Sequence, residues 1–213
     1  MKWVPGAVVG SIVAGGNGRG NRNNQLNSPY GMFVEADTLT IWIADTYNHR
    51  IVKWPSPSTS VVVAGSYGSA VNQFMYPRDI FVDASASNTI YVADTGNHRI
   101  QKWLPGATSG ITVAGRPSVA GNAIYQLNSP EAVIVDTSGN MYISDSGNSR
   151  IVRWPPGATS GMLIAANGGV GKEPTQLNIP LGLCFDSSGA LVVADFRNHR
   201  VQKFAVSCRM YHT

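Results

Sequence analysis

A seven-residue signature recurs four times along the chain, and no other feature limits its possible folds as tightly. Asp45-Thr-Tyr-Asn48-His49-Arg50-Ile51 returns as Asp94-Thr-Gly-Asn97-His98-Arg99-Ile100, as Asp145-Ser-Gly-Asn148-Ser149-Arg150-Ile151 and as Asp195-Phe-Arg-Asn198-His199-Arg200-Val201. The Asp-to-Asp steps are 49, 51 and 50 residues. Pro29, Pro77, Pro130 and Pro180 lead each unit, and Trp54, Trp103, Trp154 and Phe204 follow each Arg. A fixed period near 50 marks one supersecondary unit stacked against its copies, because one unit cannot bury its apolar face alone.

Inside each unit the apolar runs are short and β-rich. Ile80-Phe-Val-Asp83, Thr89-Ile-Tyr-Val-Ala93, Arg99-Ile-Gln-Lys-Trp103 and Ile111-Thr-Val-Ala114 read as strands a, b, c and d. Turn residues separate them, such as Asp136-Thr-Ser-Gly139-Asn140 and the recurring Pro-Gly-Ala-Thr-Ser-Gly. Four-stranded antiparallel sheets repeated radially are the blades of a β-propeller, an all-β architecture that leaves few exposed sheet edges. The run of Pro, apolar strand, Asp, then Tyr-Val-Ala-Asp-x-x-Asn-His-Arg-Ile-Gln-Lys-Trp resembles the NHL repeat, named for its Asn-His-Leu signature. The resemblance covers nearly the whole chain, and Ser149 in the third unit implies that the histidine is dispensable to the repeat.

The strand count is uneven. After c-like Lys2-Trp3-Val4 and d-like Ser11-Ile-Val-Ala14 come three full blades and a fourth with a, b and c only. A single propeller domain is expected over residues 1–206, with repeats starting near 29, 77, 130 and 180 and a tail at 207–213. Residues 8–14 are expected to supply the last blade's missing strand and close a four-bladed ring. The resemblance implies six blades as the usual number, so the alternatives are a piece of a larger ring or a chain that self-associates to complete one.

Residues present in every blade are most economically assigned to folding. The Asp45, Asn48 and Arg50 set, with Asp94, Asn97 and Arg99, Asp145, Asn148 and Arg150, and Asp195, Asn198 and Arg200, reads as a lock on the b–c turn. The Trp54 series reads as blade packing, Glu35, Asp83, Asp136 and Asp186 as turn caps or Arg partners, and Cys184 as a small core residue in strand a, with Cys208 a loose thiol in the tail. His49, His98 and His199 lie on equivalent turns of different blades, so symmetry spreads them apart and no metal site is expected. No nucleophile elbow, phosphate loop or zinc-protease motif occurs, and no catalytic residue or cofactor is assigned.

Function is sought where the blades disagree. The first residue after each proline is Tyr30, Arg78, Glu131 or Leu181, and the next is Gly31, Asp79, Ala132 or Gly182. On the b–c turns Tyr47, Phe196 and Arg197 break with the plain glycine of the middle blades. Tyr30, Tyr47, Arg78, Asp79, Glu131, Phe196 and Arg197 are therefore the candidate ligand-binding residues, at the channel mouth and on the face of the d–a and b–c loops. The leading expectation is a non-catalytic scaffold for a protein or peptide. The family resemblance implies two alternatives, a metal-assisted lyase or hydrolase and an RNA-binding propeller. Sixteen Lys and Arg against 12 Asp and Glu give a net charge of +4, but nine of those bases sit in repeated slots, leaving a small free excess for RNA. No apolar run approaches the ~18 residues of a spanning helix, so membrane insertion is not expected. The opening Met1-Lys-Trp-Val-Pro-Gly6 does not read as a signal peptide, and the compartment is left unassigned.

Overall fold

The computed structural model describes residues 1–2, 5–166 and 169–206. Fifteen strands form four antiparallel sheets, and the helical content is confined to 3₁₀ turns. Blade 1 holds β1 (Met32–Val34), β2 (Ile41–Asp45), β3 (Arg50–Ser56) and β4 (Thr59–Ala64). Blade 2 holds β5 (Pro77–Asp83), β6 (Thr89–Asp94), β7 (Arg99–Trp103) and β8 (Ile111–Gly115), and blade 3 holds β9 (Pro130–Val135), β10 (Met141–Asp145), β11 (Arg150–Trp154) and β12 (Met162–Ala165). Blade 4 has β13 (Pro180–Phe185), β14 (Leu191–Asp195) and β15 (Arg200–Phe204). Each blade meanders in sequence order.

Strand b of blades 2 and 3 is buried on both sides because a neighbouring blade covers each face. All six residues of β6 are buried. Trp42, Ala44, Ile51, Ala64 and Phe74 of blade 1 meet Ile80, Val82, Ile90, Val92 and Trp103 of blade 2 in one core cluster. The same positions build the next two junctions, with Trp154 between blades 2 and 3 and Phe204 packed against the cluster between blades 3 and 4. Phe74, Leu127 and Leu177, at the ends of the d–a loops, are wholly buried plugs in these junctions. Burying such a side chain contributes about 1.5–3 kcal/mol.

The signature residues join loops to turns. Asp94 accepts from Met75 N (2.7 Å), Asn97 Nδ2 (2.9 Å) and Arg99 Nε (2.7 Å), while Arg99 Nη2 donates to the carbonyls of Ala70 (2.8 Å) and Gln73 (2.9 Å). Asp45, Asp145 and Asp195 take the same three donors in their own blades. A second set joins blade to blade. Thr46 Oγ1 donates to Pro77 O (2.7 Å), Thr95 Oγ1 to Pro130 O (2.6 Å) and Ser146 Oγ to Pro180 O. The histidine is part of this set: His49 Nδ1 accepts from Tyr76 N (3.1 Å) and His98 Nδ1 from Ser129 N (3.0 Å). In blade 3 Ser149 Oγ accepts from Ile179 N (3.2 Å), so a hydroxyl does the imidazole's work. His49, His98, Ser149 and His199 all sit in the left-handed region, with φ between 52° and 55°, which closes each turn.

The closure of blade 4 by residues 8–14 is not made in this structure. Ser11 instead bridges Lys2 through N–H···O bonds of 2.7 and 2.8 Å, and Ala14 and Leu26 pack on Ile43, Val52 and Trp54 of blade 1. Among the described residues no strand pairs with the outer edge of β15. Cys184, expected in the core, is exposed, because its equivalents Phe33, Phe81 and Ile134 are covered only where a following blade lies over them. Cys208 lies outside the described residues.

Candidate functional site

Strand a of blades 2 to 4 begins with a bulge. Pro77 pairs with Asp94 but Asp79 with Ala93, and in blade 3 Pro130 pairs with Asp145 but Ala132 with Ser144. Arg78 and Glu131 are the extra residues, left out of the ladder at the loop end of the innermost strand. The bulge brings residues of adjacent blades together. Arg78 Nη1 donates to both carboxylate oxygens of Glu131, at 2.8 and 2.9 Å, and its guanidinium lies 4.8 Å from the centre of the Tyr30 ring. Blades 1, 2 and 3 thus meet through Tyr30, Arg78 and Glu131. Arg78 Nε is buried with no partner among the described residues.

Asp79 follows Arg78 in β5. Its Oδ2 accepts from Val133 N (3.1 Å), and a Cβ at Gly31 would stand 2.5 Å from its Oδ1, so only glycine fits opposite it in blade 1. Burial pushes the Asp79 pKa up to about 7, with a further upward contribution from the charge of Glu131. Burial raises Glu131 too, against the pull of Arg78.

An aromatic row lies where the b–c turn of blade 1 meets the loop leading into blade 2. The Tyr47 ring packs edge-on against Tyr76 at 5.5 Å, and His49 sits between Tyr76 (4.7 Å) and Tyr67 (4.8 Å). All three tyrosines are exposed. Tyr67 and Tyr76 had no sequence signal beyond being blade 2 residues absent from the other repeats. The structure does not bring Phe196 and Arg197 to this cluster. Phe196 stands at the position of Thr46, Thr95 and Ser146, so it replaces a hydroxyl that binds the next blade, while Arg197 aligns with Tyr47, Gly96 and Gly147.

Seven of the nine repeated cations are engaged within the fold. Arg50, Arg99, Arg150 and Arg200 pair with the turn carboxylates at 2.7 Å, Lys203 pairs with Asp186, and Lys53 and Lys102 lie over Trp42 and Tyr91. Among the described residues no three His, Cys, Asp or Glu side chains gather as a metal site would need, and no helix is long and apolar enough to cross a membrane.

The NHL repeat family model matches residues 74–103 and 177–204, which are β6–β7 and β14–β15 with the plug and strand before them. Two of the four repeats of this β-propeller thus match the NHL repeat. No curated protein matches it in sequence. Among solved structures it is similar in fold to an auxiliary nutrient binding protein from Bacteroides thetaiotaomicron, with a TM-score of 0.64 and 13% identity over 84% of this chain and 48% of that one. A gluconolactonase from Xanthomonas campestris gives a TM-score of 0.61 and 16% identity over 84% and 58% of the two chains. A nidogen/laminin complex gives 0.62 and 19% over 83% and 60%. The NHL chain thus spans roughly half the length of the propellers it matches, and these likenesses establish the fold alone.

Proposed function

We propose that this NHL propeller is a binding module that holds a protein or peptide segment on the face of its d–a and b–c loops. The observation that carries the reading is the Tyr30–Arg78–Glu131 contact across three blades, beside the exposed row of Tyr47, Tyr76 and Tyr67. Exposed tyrosines beside an arginine are the side chains that dominate protein interfaces. They are held in place here, since Tyr47, Tyr76 and Tyr67 pack on neighbouring rings and Tyr30 on the Arg78 guanidinium, so less ordering entropy opposes binding. Phe196 and Arg197 border the same loop face from blade 4. The nidogen/laminin and nutrient-binding neighbours support a binding role.

One observation favours an enzyme as the second reading: Asp79, with its pKa near 7, can take or give a proton at neutral pH beside the mouth. RNA finds little support, because seven of the nine repeated cations are engaged within the fold.

The test uses peptides selected from a random display library against the wild-type protein, with affinity read by fluorescence anisotropy. Arg78→Ala combined with Tyr47→Ala removes two contacts of the size of interface hot spots, about 2 kcal/mol each. Binding should weaken by at least about 30-fold while the chain still melts cooperatively, the melt being lowered only by loss of the part-exposed Arg78–Glu131 pair. Peptides whose affinity is untouched by the pair would place the binding face elsewhere.

A further inference from the structure

The two ends of the blade array are unfinished in complementary ways. At the position of Ile51, Ile100 and Ile151, all fully buried, blade 4 carries Val201 with 69% of its surface exposed. At the position of Ile80 (3%) and Val133 (1%), blade 1 carries Met32, which is 67% exposed. Cys184 is exposed on the same open side of blade 4, and Val34 on the same open side of blade 1. Beside Met32 and Val34 lies a groove of about 610 Å³, walled by Val13, Ala14, Leu26 and Trp54 among others.

The halves match in detail. Among the described residues blade 4 has strands a, b and c. Residues 11–26 have the form of a d strand and plug: Ala14 and Leu26 stand against blade 1 as Ala64 and Phe74 stand against blade 2, and as Ala114 and Leu127 stand against blade 3. The ladder register is repeated too, since Ala64 faces Ile51, Ala114 faces Ile100 and Ala165 faces Ile151, which assigns Ala14 to Val201. At the turn, His49 and His98 hold the N–H of Tyr76 and Ser129, residues in the left-handed region at φ 49° and 48°. Ser28 has that conformation, φ 48°, and among the described residues no histidine accepts its N–H and His199 accepts none. Within one chain the two faces are not pressed together, as the exposure of Val201 and Met32 shows.

We propose that the open faces are filled by a second copy of this chain, joined head to tail. Blade 4 of one copy takes residues 11–15 of the next as its fourth strand, and Leu26 of that copy as its plug. A second copy is the occupant because this chain itself carries both complementary halves, so one partner completes both. The contact reproduces the internal blade junctions, with Val201 facing Ala14 and His199 Nδ1 accepting from Ser28 N. Forming it displaces the Lys2 bridge, two hydrogen bonds that Lys203 would replace at the Ser11 position, as Lys102 faces Ile111. The interface is heterologous, so it closes into a ring where the rotation permits and extends into longer assemblies where it does not.

Directly opposed residues of an antiparallel ladder have Cα atoms about 4.5–5.5 Å apart, within disulfide reach. In a background with Cys184→Ser and Cys208→Ser, single variants Ala14→Cys and Val201→Cys are mixed, oxidised and run on a non-reducing gel. The expected result is a cross-linked pair of chains that forms only in the mixture. A fast-migrating single chain from the double variant Ala14→Cys/Val201→Cys, with no paired chains in the mixture, would mean the ring closes on itself and overturn the proposal. Absence of either cross-link would overturn it as well. Light scattering gives an independent readout: the wild type should exceed 22.7 kDa per particle, and Val201→Asp should return it to that mass with its melt intact, because Val201 is exposed in the isolated chain. A wild type of monomer mass at every concentration would refute the assembly.

Discussion

Asp94→Asn is a sharp test of what holds a blade together, because the chain contains its own control. Asp94 Oδ2 accepts from Asn97 Nδ2 and Arg99 Nε, and the Arg99 and Asp94 side chains are 1% and 0% exposed. An amide keeps the acceptor for Met75 N but turns an NH₂ toward two donors, and leaves the Arg99 charge buried without its carboxylate. Removing one partner of a buried pair costs about 3–5 kcal/mol. For a chain of this size that lowers the melting temperature by roughly 6–20 °C, at about 2–4 °C per kcal/mol. Asp195→Asn breaks the same bonds in blade 4, where the Arg200 side chain is 29% exposed and water can solvate the orphaned charge. Its cost should fall to about 1–2 kcal/mol, in keeping with the low value of exposed pairs. The two carboxyls already differ: burial raises the pKa of Asp94, whereas at Asp195 the bonds from Asn198, Asn178 N and Arg200 outweigh burial and lower it. Scanning calorimetry of the two variants in one buffer decides the matter. An Asp195→Asn loss equal to or larger than that of Asp94→Asn would refute the assignment of the cost to burial.

Two further outcomes concern pH. Burial lowers the pKa values of His49 and His98 from 6.5, and each accepts a backbone N–H at Nδ1. The unfolded chain therefore takes up protons first, so stability from these clamps is complete above pH 6.5 and is lost as pH falls below it. Urea midpoints from pH 8 to 5 should drop for the wild type, and less for His98→Asn, which keeps an acceptor and tolerates the left-handed turn; identical slopes would sink the clamp. Asp79 acts in the opposite sense: its folded pKa of about 7 lies above the ordinary carboxyl value of 3.8, so the fold binds a proton the unfolded chain gives up. The stability this contributes is complete below pH 3.8 and lost as pH rises to 7, a difference of a few kcal/mol. Asp79→Asn should therefore gain stability relative to wild type at pH 8 and not at pH 4, and an equal effect at both would show the carboxyl is not desolvated.

The blades were legible in the sequence because each repeat must satisfy the same packing and the same turn, and four copies expose which residues those demands fix. Asp94, Asn97 and Arg99 could be read as a turn lock without knowing which carbonyls Arg99 would find. The bulge at Arg78 and Glu131 could not be read, because it is a one-residue slip of register that leaves no mark on composition. Position alone nominated both residues; the slip is what lets Arg78 reach a carboxylate on the next blade. Tyr67 and Tyr76 escaped for a related reason: they become one surface only when His49 is held between them. Cys184 was misplaced because burial was inferred from equivalent positions, and equivalence holds only where the next blade is present.

The same distinction separates the site from the ends of the array. Tyr30, Arg78, Glu131 and the tyrosine row are built by the junctions of blades 1 to 3, which are closed and wholly internal, so their geometry does not depend on what covers Val201 or Met32. Phe196 and Arg197 are different. In the internal junctions the first residue of the b–c turn touches the proline that opens the next blade, as Thr46 touches Pro77 and Thr95 touches Pro130. Repeating that geometry at the open end would set Phe196 against Pro29 of a second copy, next to its Tyr30. Phe196 cannot make the hydroxyl bond used at every other junction, so this one would be fastened by ring contact. The two turn residues that stand apart in one chain would then extend the aromatic row of the next, and the binding face would run continuously across the contact.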